Sequence, residues 1–118
     1  MNIPPRRNNT FPGYNVVART KERRQLVIGS QRVRLFIPMS SSLKDKRSVL
    51  RKTIHRLRTH YNCAVAEVDD HDVWQSAILA VVTVAANRAQ VDSLLAKVMH
   101  DLETASDFQV VEQELEYL

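Results

Sequence analysis

The sequence is poor in residues that make special chemistry or special backbone. Its 118 residues include one cysteine, two glycines, one tryptophan and only 6% aromatics. A single cysteine excludes an internal disulfide framework and a four-cysteine zinc site. The glycines, Gly13 and Gly29, are isolated, which excludes a glycine-rich phosphate loop. No apolar run reaches the ~18 residues of a membrane span, so no membrane partner is expected. No nucleophile, base and orienting residue can be read as a set, so catalysis and a cofactor are not expected either. The rest suits one globular domain: 44% apolar and 25% charged residues, in a length that buries roughly two-thirds of its unfolded surface.

Charge is where the chain is unusual. The formal net charge of +4 conceals a strong polarisation. Residues 1–62 hold 15 of the 17 Lys and Arg with only two acids, Glu22 and Asp45. Residues 63–118 hold two bases, Arg88 and Lys97, with the remaining 11 acids.

Residues 1–25 read as a basic, disordered tail. They carry Pro4, Pro5, Pro12 and Gly13 and six bases, and no strand or helix period persists. No apolar core of a secretory signal follows the early arginines, and the prolines argue against an amphipathic presequence. A cytoplasmic location is expected.

Residues 26–118 read as one folded domain. Leu26 to Ile37 alternates with period two, Gln31, Val33, Leu35 and Ile37 against Arg32, Arg34 and Phe36, and is predicted as a strand. Ser42 to Tyr61 is a helix, with Ser42 as N-cap and Asp45 as the carboxylate of a capping box. Its apolar stripe (Leu43, Leu50, Ile54, Leu57, Tyr61) fills about 60° of arc at 100° per residue. Cys63 to Val68 is a short strand, and Asp69 to Asp72 a turn. Trp74 to Ala86 is a strand apolar on both faces, hence central or covered by a partner. Asn87 caps a second helix with core residues Val91, Leu94, Leu95, Val98 and Leu102. Asp107 to Tyr117 is the last strand. The order is βαββαβ, an α+β, ferredoxin-like domain. Right-handed crossovers then give a four-stranded antiparallel sheet of order 4-1-3-2 with both helices on one face.

The first helix carries the chemistry. Lys44, Lys46 and Arg47 crowd an N-terminus whose dipole favours acids. Lys44, Arg47, Arg51, His55 and Arg58 form a basic flank beside the apolar stripe. Ser41, Ser42, Lys44, Lys46, Arg47, Arg51 and Arg58 are the candidate phosphate-binding residues, and the expected ligand is a nucleic-acid backbone. The competing account is a solvated face whose bases pair with acids from the second half.

Other candidates carry less. Arg32 and Arg34 lie across from Glu112, Glu114 and Glu116 on the neighbouring strand and are expected to pair with them. The open sheet face is not an RNA-recognition motif, because Phe36 is its only outward aromatic on the first strand. Asp69, Asp70, His71 and Asp72 are adjacent, so they do not converge on one metal, and no metal is expected. His55 and His60 face different directions, and His100 reads as a surface residue. Cys63 reads as a small buried hydrophobe, with no neighbouring base to lower its pKa.

Ser42-Leu43-Lys44-Asp45-Lys46-Arg47, Leu50-Arg51 and Leu57-Arg58 resemble the helix of the YlxP-like family of small bacterial proteins. Tyr61-Asn62, Val65-Ala66-Glu67-Val68, Asp72, Trp74-Gln75 and Asn87 continue that pattern, so the resemblance spans residues 26–118. It implies a single ferredoxin-like domain of unknown biochemical function. Such genes commonly lie near those of transcription and translation factors, including ribosome-binding factor A. A ribosome-linked RNA-binding role is what the resemblance implies, and it carries over no catalytic set. Two features depart from the pattern: the 25-residue extension, which puts the native start in doubt, and Ala80, where others often have glycine. The expectation is therefore a non-catalytic accessory factor that binds RNA or a ribosomal particle through the first helix. The alternative is a protein-interaction or homo-oligomerisation module, with a homodimer formed through the sheet.

Overall fold

A computed structural model describes Thr10–Phe11, Tyr14–Asn15 and residues 26–118. Thr10–Phe11 and Tyr14–Asn15 are two short strands paired antiparallel. The remainder of the expected N-terminal tail lies outside the described residues.

The domain follows the order β1 (Val27–Phe36), α1 (Leu43–His60), β2 (Ala64–Asp69), β3 (Ser76–Ala85), α2 (Arg88–Thr104), β4 (Gln109–Tyr117). The four strands form one sheet with the order β2-β3-β1-β4, every pair antiparallel. This is the ferredoxin-like arrangement and the expected strand order. Both β-α-β crossovers place their helices on the same face, α1 toward the edge strand β2 and α2 over β3 and β1.

Period-two alternation decides what each strand buries. Val33, Leu35 and Ile37 of β1 and its exit, with Ala77, Leu79 and Val81 of β3, point to the helices and are buried. Leu50 and Leu57 of α1 and Val91, Leu95, Val98, Met99 and Leu102 of α2 close the core from above. Each such Val, Leu, Ile or Met side chain stabilises the fold by about 1.5–3 kcal/mol. Buried hydroxyls are matched locally: Thr53 donates to Val49 O at 2.9 Å and Thr83 to Asn62 O at 2.8 Å. Gly29 sits where α2 comes closest to the sheet. A Cβ there would lie 2.5 Å from Val91 Cγ1 and 3.0 Å from Leu95 Cδ1.

Two expectations need adjustment. The third strand begins at Ser76, so Trp74 and Gln75 belong to the preceding turn. Gln75 is held there because Ile37 N–H donates to its carbonyl at 2.8 Å and its side-chain amide donates to Pro38 O at 3.1 Å. In α2, Met99 takes a core position and Leu94 is only half-buried.

Candidate nucleic-acid interface

The start of α1 is a self-contained cap. Ser42 holds extended backbone (φ −160°, ψ 164°) and its Oγ accepts the Asp45 N–H at 3.0 Å. The Asp45 carboxylate reaches one residue further back than in a standard capping box. It accepts the Ser41 N–H at 3.0 Å and the Ser41 hydroxyl at 2.8 Å. The Ser41 hydroxyl bond and then its backbone bond hold the Asp45 carboxyl below its usual 3.8. Ser41 has therefore committed the one hydroxyl proton a phosphate would need, and an ionised carboxylate stands beside it. Ser42 keeps its own proton. The N-terminus expected to hold a phosphate is thus largely occupied by Asp45.

Lys46 is the largest departure from expectation. It is only 1% exposed, and its ammonium is enclosed by the hairpin between β2 and β3. Nζ donates to Asp70 O at 2.6 Å, His71 O at 3.2 Å and Ser76 O at 3.2 Å. Glu67 Oε2 lies 3.0 Å away, buried and without an aligned hydrogen bond, since three carbonyls match the three ammonium protons. Glu67 therefore balances the charge while the carbonyls take the hydrogen bonds. Lys46 cannot contact a phosphate from this position and leaves the candidate set. The helical wheel carried the signal: at 100° per residue Lys46 lies about 20° from Leu57.

The same hairpin end gathers further charges. Asp70 adopts φ 62°, which carries its carboxylate to Arg34 (2.5 Å) and the Ser76 hydroxyl (2.7 Å). Arg34 also meets Glu112 at 3.4 Å, as expected from the register. Arg32 does not follow its register partner Glu114; its nearest acid is Asp69, 3.9 Å away. The cause is an irregularity between Glu67 and Asp69, which swings Asp69 opposite Ile78, the β3 neighbour of Arg34. The acids of this turn serve different arginines and do not converge on one point.

The remaining bases of α1 divide by flank. The inner flank faces α2 and the turn after it. Arg56 bonds Asp101 at 2.9 Å and Lys52 pairs with Asp107 at 3.0 Å. The outer flank carries Lys44, Arg47, Arg51, His55 and Arg58, spaced three or four residues apart, all exposed. Arg58 donates to Val65 O at 2.7 Å, which fixes this flank over the edge strand β2. Among the described residues, none of the five has an acidic partner within 4.0 Å. Inward rotation of Lys46 and Thr53 turns the buried face about 40° from the apolar stripe, away from this flank. From Lys44 to Arg58 the stripe runs about 21 Å at 1.5 Å per residue.

Cys63 is half-buried, and its thiol donates to Leu57 O at 3.7 Å. Burial pushes the thiol above its ordinary 9.0, with Arg58 opposing the shift. It is a packing residue.

The model of the family described as "Protein of unknown function (DUF503)" matches residues 28–115. The chain belongs to this family. It is also 29% identical over 73 residues to the uncharacterized protein YlxP of Bacillus subtilis (strain 168), across 62% of this chain and 79% of that protein. The family match runs from β1 into β4, so the capping box, the Lys46 enclosure and the basic flank all lie within the family's region. Among the described residues, no helix is long and apolar enough to cross a membrane.

Proposed function

We propose that this YlxP-like domain is a non-catalytic RNA-binding accessory factor acting on ribosomal particles, in the cytoplasm. RNA lies along the outer flank of α1, with Lys44, Arg47, Arg51 and Arg58 contacting phosphates. One observation carries the reading: the acids of the second half neutralise the inner flank and leave the outer one unmatched. Five exposed bases on one flank with no acid within 4.0 Å among the described residues, beside a flank that is paired, concentrate positive charge on one side of the helix. An uncompensated cationic stripe raises the local concentration of polyanions and supplies affinity by counterion release.

Co-sedimentation with ribosomal subunits across a salt series tests it. Wild-type protein co-sediments at low salt and is released as salt rises. The Lys44→Ala, Arg47→Ala, Arg51→Ala triple variant stays in the supernatant. Equal co-sedimentation of the two proteins contradicts the proposal.

A second reading, self-association through the sheet, has its own observation. The face away from the helices exposes Val84 (50%) and Phe36 (38%) around the small residues Ala66 and Ala80. Light scattering at high protein concentration decides it, and a strict monomer excludes it.

A further inference from the structure

Trp74 is the single tryptophan of the chain and the core does not use it. It is 54% exposed, in the turn between β2 and β3. Other apolar side chains are exposed too, Met39 (88%) and Val73 (46%) among them, but Trp74 offers the largest flat aromatic face.

The turn that presents it is among the most constrained parts of the surface. Lys46 binds the carbonyls of Asp70, His71 and Ser76, which bracket Trp74 on both sides. Val73 N–H donates to Asp70 O at 3.0 Å and closes the turn. Gln75 is clamped to Ile37 and Pro38. With the backbone of the turn held, only the indole's own side-chain torsions remain to be ordered when something stacks on it.

The turn also stands at the N-terminal end of α1, where Lys46 holds it, and it follows the edge strand β2, which the outer flank overhangs through the Arg58 bond to Val65 O. Asp72, exposed and without a basic partner among the described residues, sits two residues before Trp74. A phosphate is repelled there, whereas the neutral face of a base is not.

We propose that Trp74 is a stacking platform for one unpaired base of single-stranded RNA whose backbone runs along Lys44, Arg47 and Arg51. The proposal rests on the RNA-binding reading and adds strand selectivity to it. A duplex keeps its bases stacked internally and offers none to Trp74, while its phosphates still meet the flank. Base–aromatic stacking is worth roughly 5- to 150-fold in affinity per base.

Because Trp74 is the sole tryptophan, its emission reports contact directly. A 12-nucleotide oligouridine and a blunt RNA duplex of equal length serve as probes. Oligouridine quenches Trp74 emission and the duplex does not. Trp74→Ala weakens oligouridine binding at least 5-fold and leaves duplex binding unchanged, while Trp74→Phe retains most of the affinity. Unchanged emission together with wild-type oligouridine affinity in Trp74→Ala overturns the stacking proposal. The Lys44→Ala, Arg47→Ala, Arg51→Ala variant separates the two claims. If it loses affinity while Trp74→Ala does not, RNA binding stands and stacking fails. If it binds both probes as wild type does, the RNA-binding reading itself fails.

Discussion

The ammonium of Lys46 lies 3.0 Å from the carboxylate of Glu67, 21 positions along the chain, in a site with 1% exposure at the lysine. The pair joins α1 to β2 and, through three carbonyls, to the start of β3. Truncating one partner leaves the other charge buried and uncompensated, which costs about 3–5 kcal/mol. Lys46→Ala is therefore expected to lower unfolding free energy by that amount in urea denaturation. Lys46→Met with Glu67→Gln removes both charges and recovers the charge-burial part of the loss, while the carbonyls of Asp70, His71 and Ser76, left without their donor, keep the variant below wild type. A Lys46→Ala protein within 1 kcal/mol of wild type, on the order of one surface contact, contradicts the role assigned to this lysine.

Gly29 gives a test of how α2 seats on the sheet. Its Cβ-bearing variant Gly29→Ala meets Val91 Cγ1 at 2.5 Å and Leu95 Cδ1 at 3.0 Å, so the Val91 side chain or α2 itself must shift. Overpacking of this kind costs about 1–3 kcal/mol. The paired substitution Val91→Ala with Gly29→Ala makes room and loses less than the two single losses added together. Strict additivity in thermal or urea unfolding contradicts the close approach.

The Asp45 carboxyl titrates below its ordinary 3.8, because Ser41 bonds its ionised form. A lowered folded-state pKa gives stability that is fully present above the unfolded value. It is lost as pH falls through the folded value. The cap is thus intact at neutral pH and loosens only below about pH 4. An NMR titration of the Asp45 side-chain carbon is expected to show a midpoint below 3.8. Ser41→Ala moves that midpoint up, and no movement contradicts the assignment.

Cys63 is expected to be slow toward thiol reagents. Burial raises its pKa above 9.0, so the reactive thiolate is scarce at pH 7. Its rate with a disulfide reagent falls below that of a free cysteine and climbs as pH passes 9. A fast reaction at pH 7 contradicts the buried packing role.

The domain was readable from sequence because its local signals agree with each other. Ser42 and Asn87 cap the helices where the apolar periods begin, and the β1 alternation selects the residues found in the core. What sequence could not provide was the tertiary choice of partner. Lys46 looked like one more exposed base because lysines are rarely buried. Its burial depends on Glu67 and on turn carbonyls that only folding assembles. The sequence sets Arg32 against the glutamates of the last strand, but an irregular ladder at Glu67 supplies Asp69 instead. The division of α1 into a neutralised and a free flank has the same origin, since Asp101 and Asp107 reach only one side. The apolar context of Trp74 extends the predicted third strand to it, and the clamp on Gln75 starts the strand at Ser76 instead.

That division of the helix is the basis of the functional reading, and it is tested most directly by comparing its two flanks. The dependence of RNA affinity on salt is measured for wild type, for Lys44→Ala, Arg47→Ala, Arg51→Ala, and for Lys52→Ala, Arg56→Ala. The outer-flank variant flattens the slope of log K against log salt by about 2 to 3, at roughly 0.7–0.9 per lost phosphate contact. The inner-flank variant keeps the wild-type slope and loses only folding stability, about 0.2–1 kcal/mol for the exposed Lys52–Asp107 pair and more for the half-buried Arg56–Asp101 pair. Equal slopes for wild type and the outer-flank variant, or equal losses from both flanks, contradict the account.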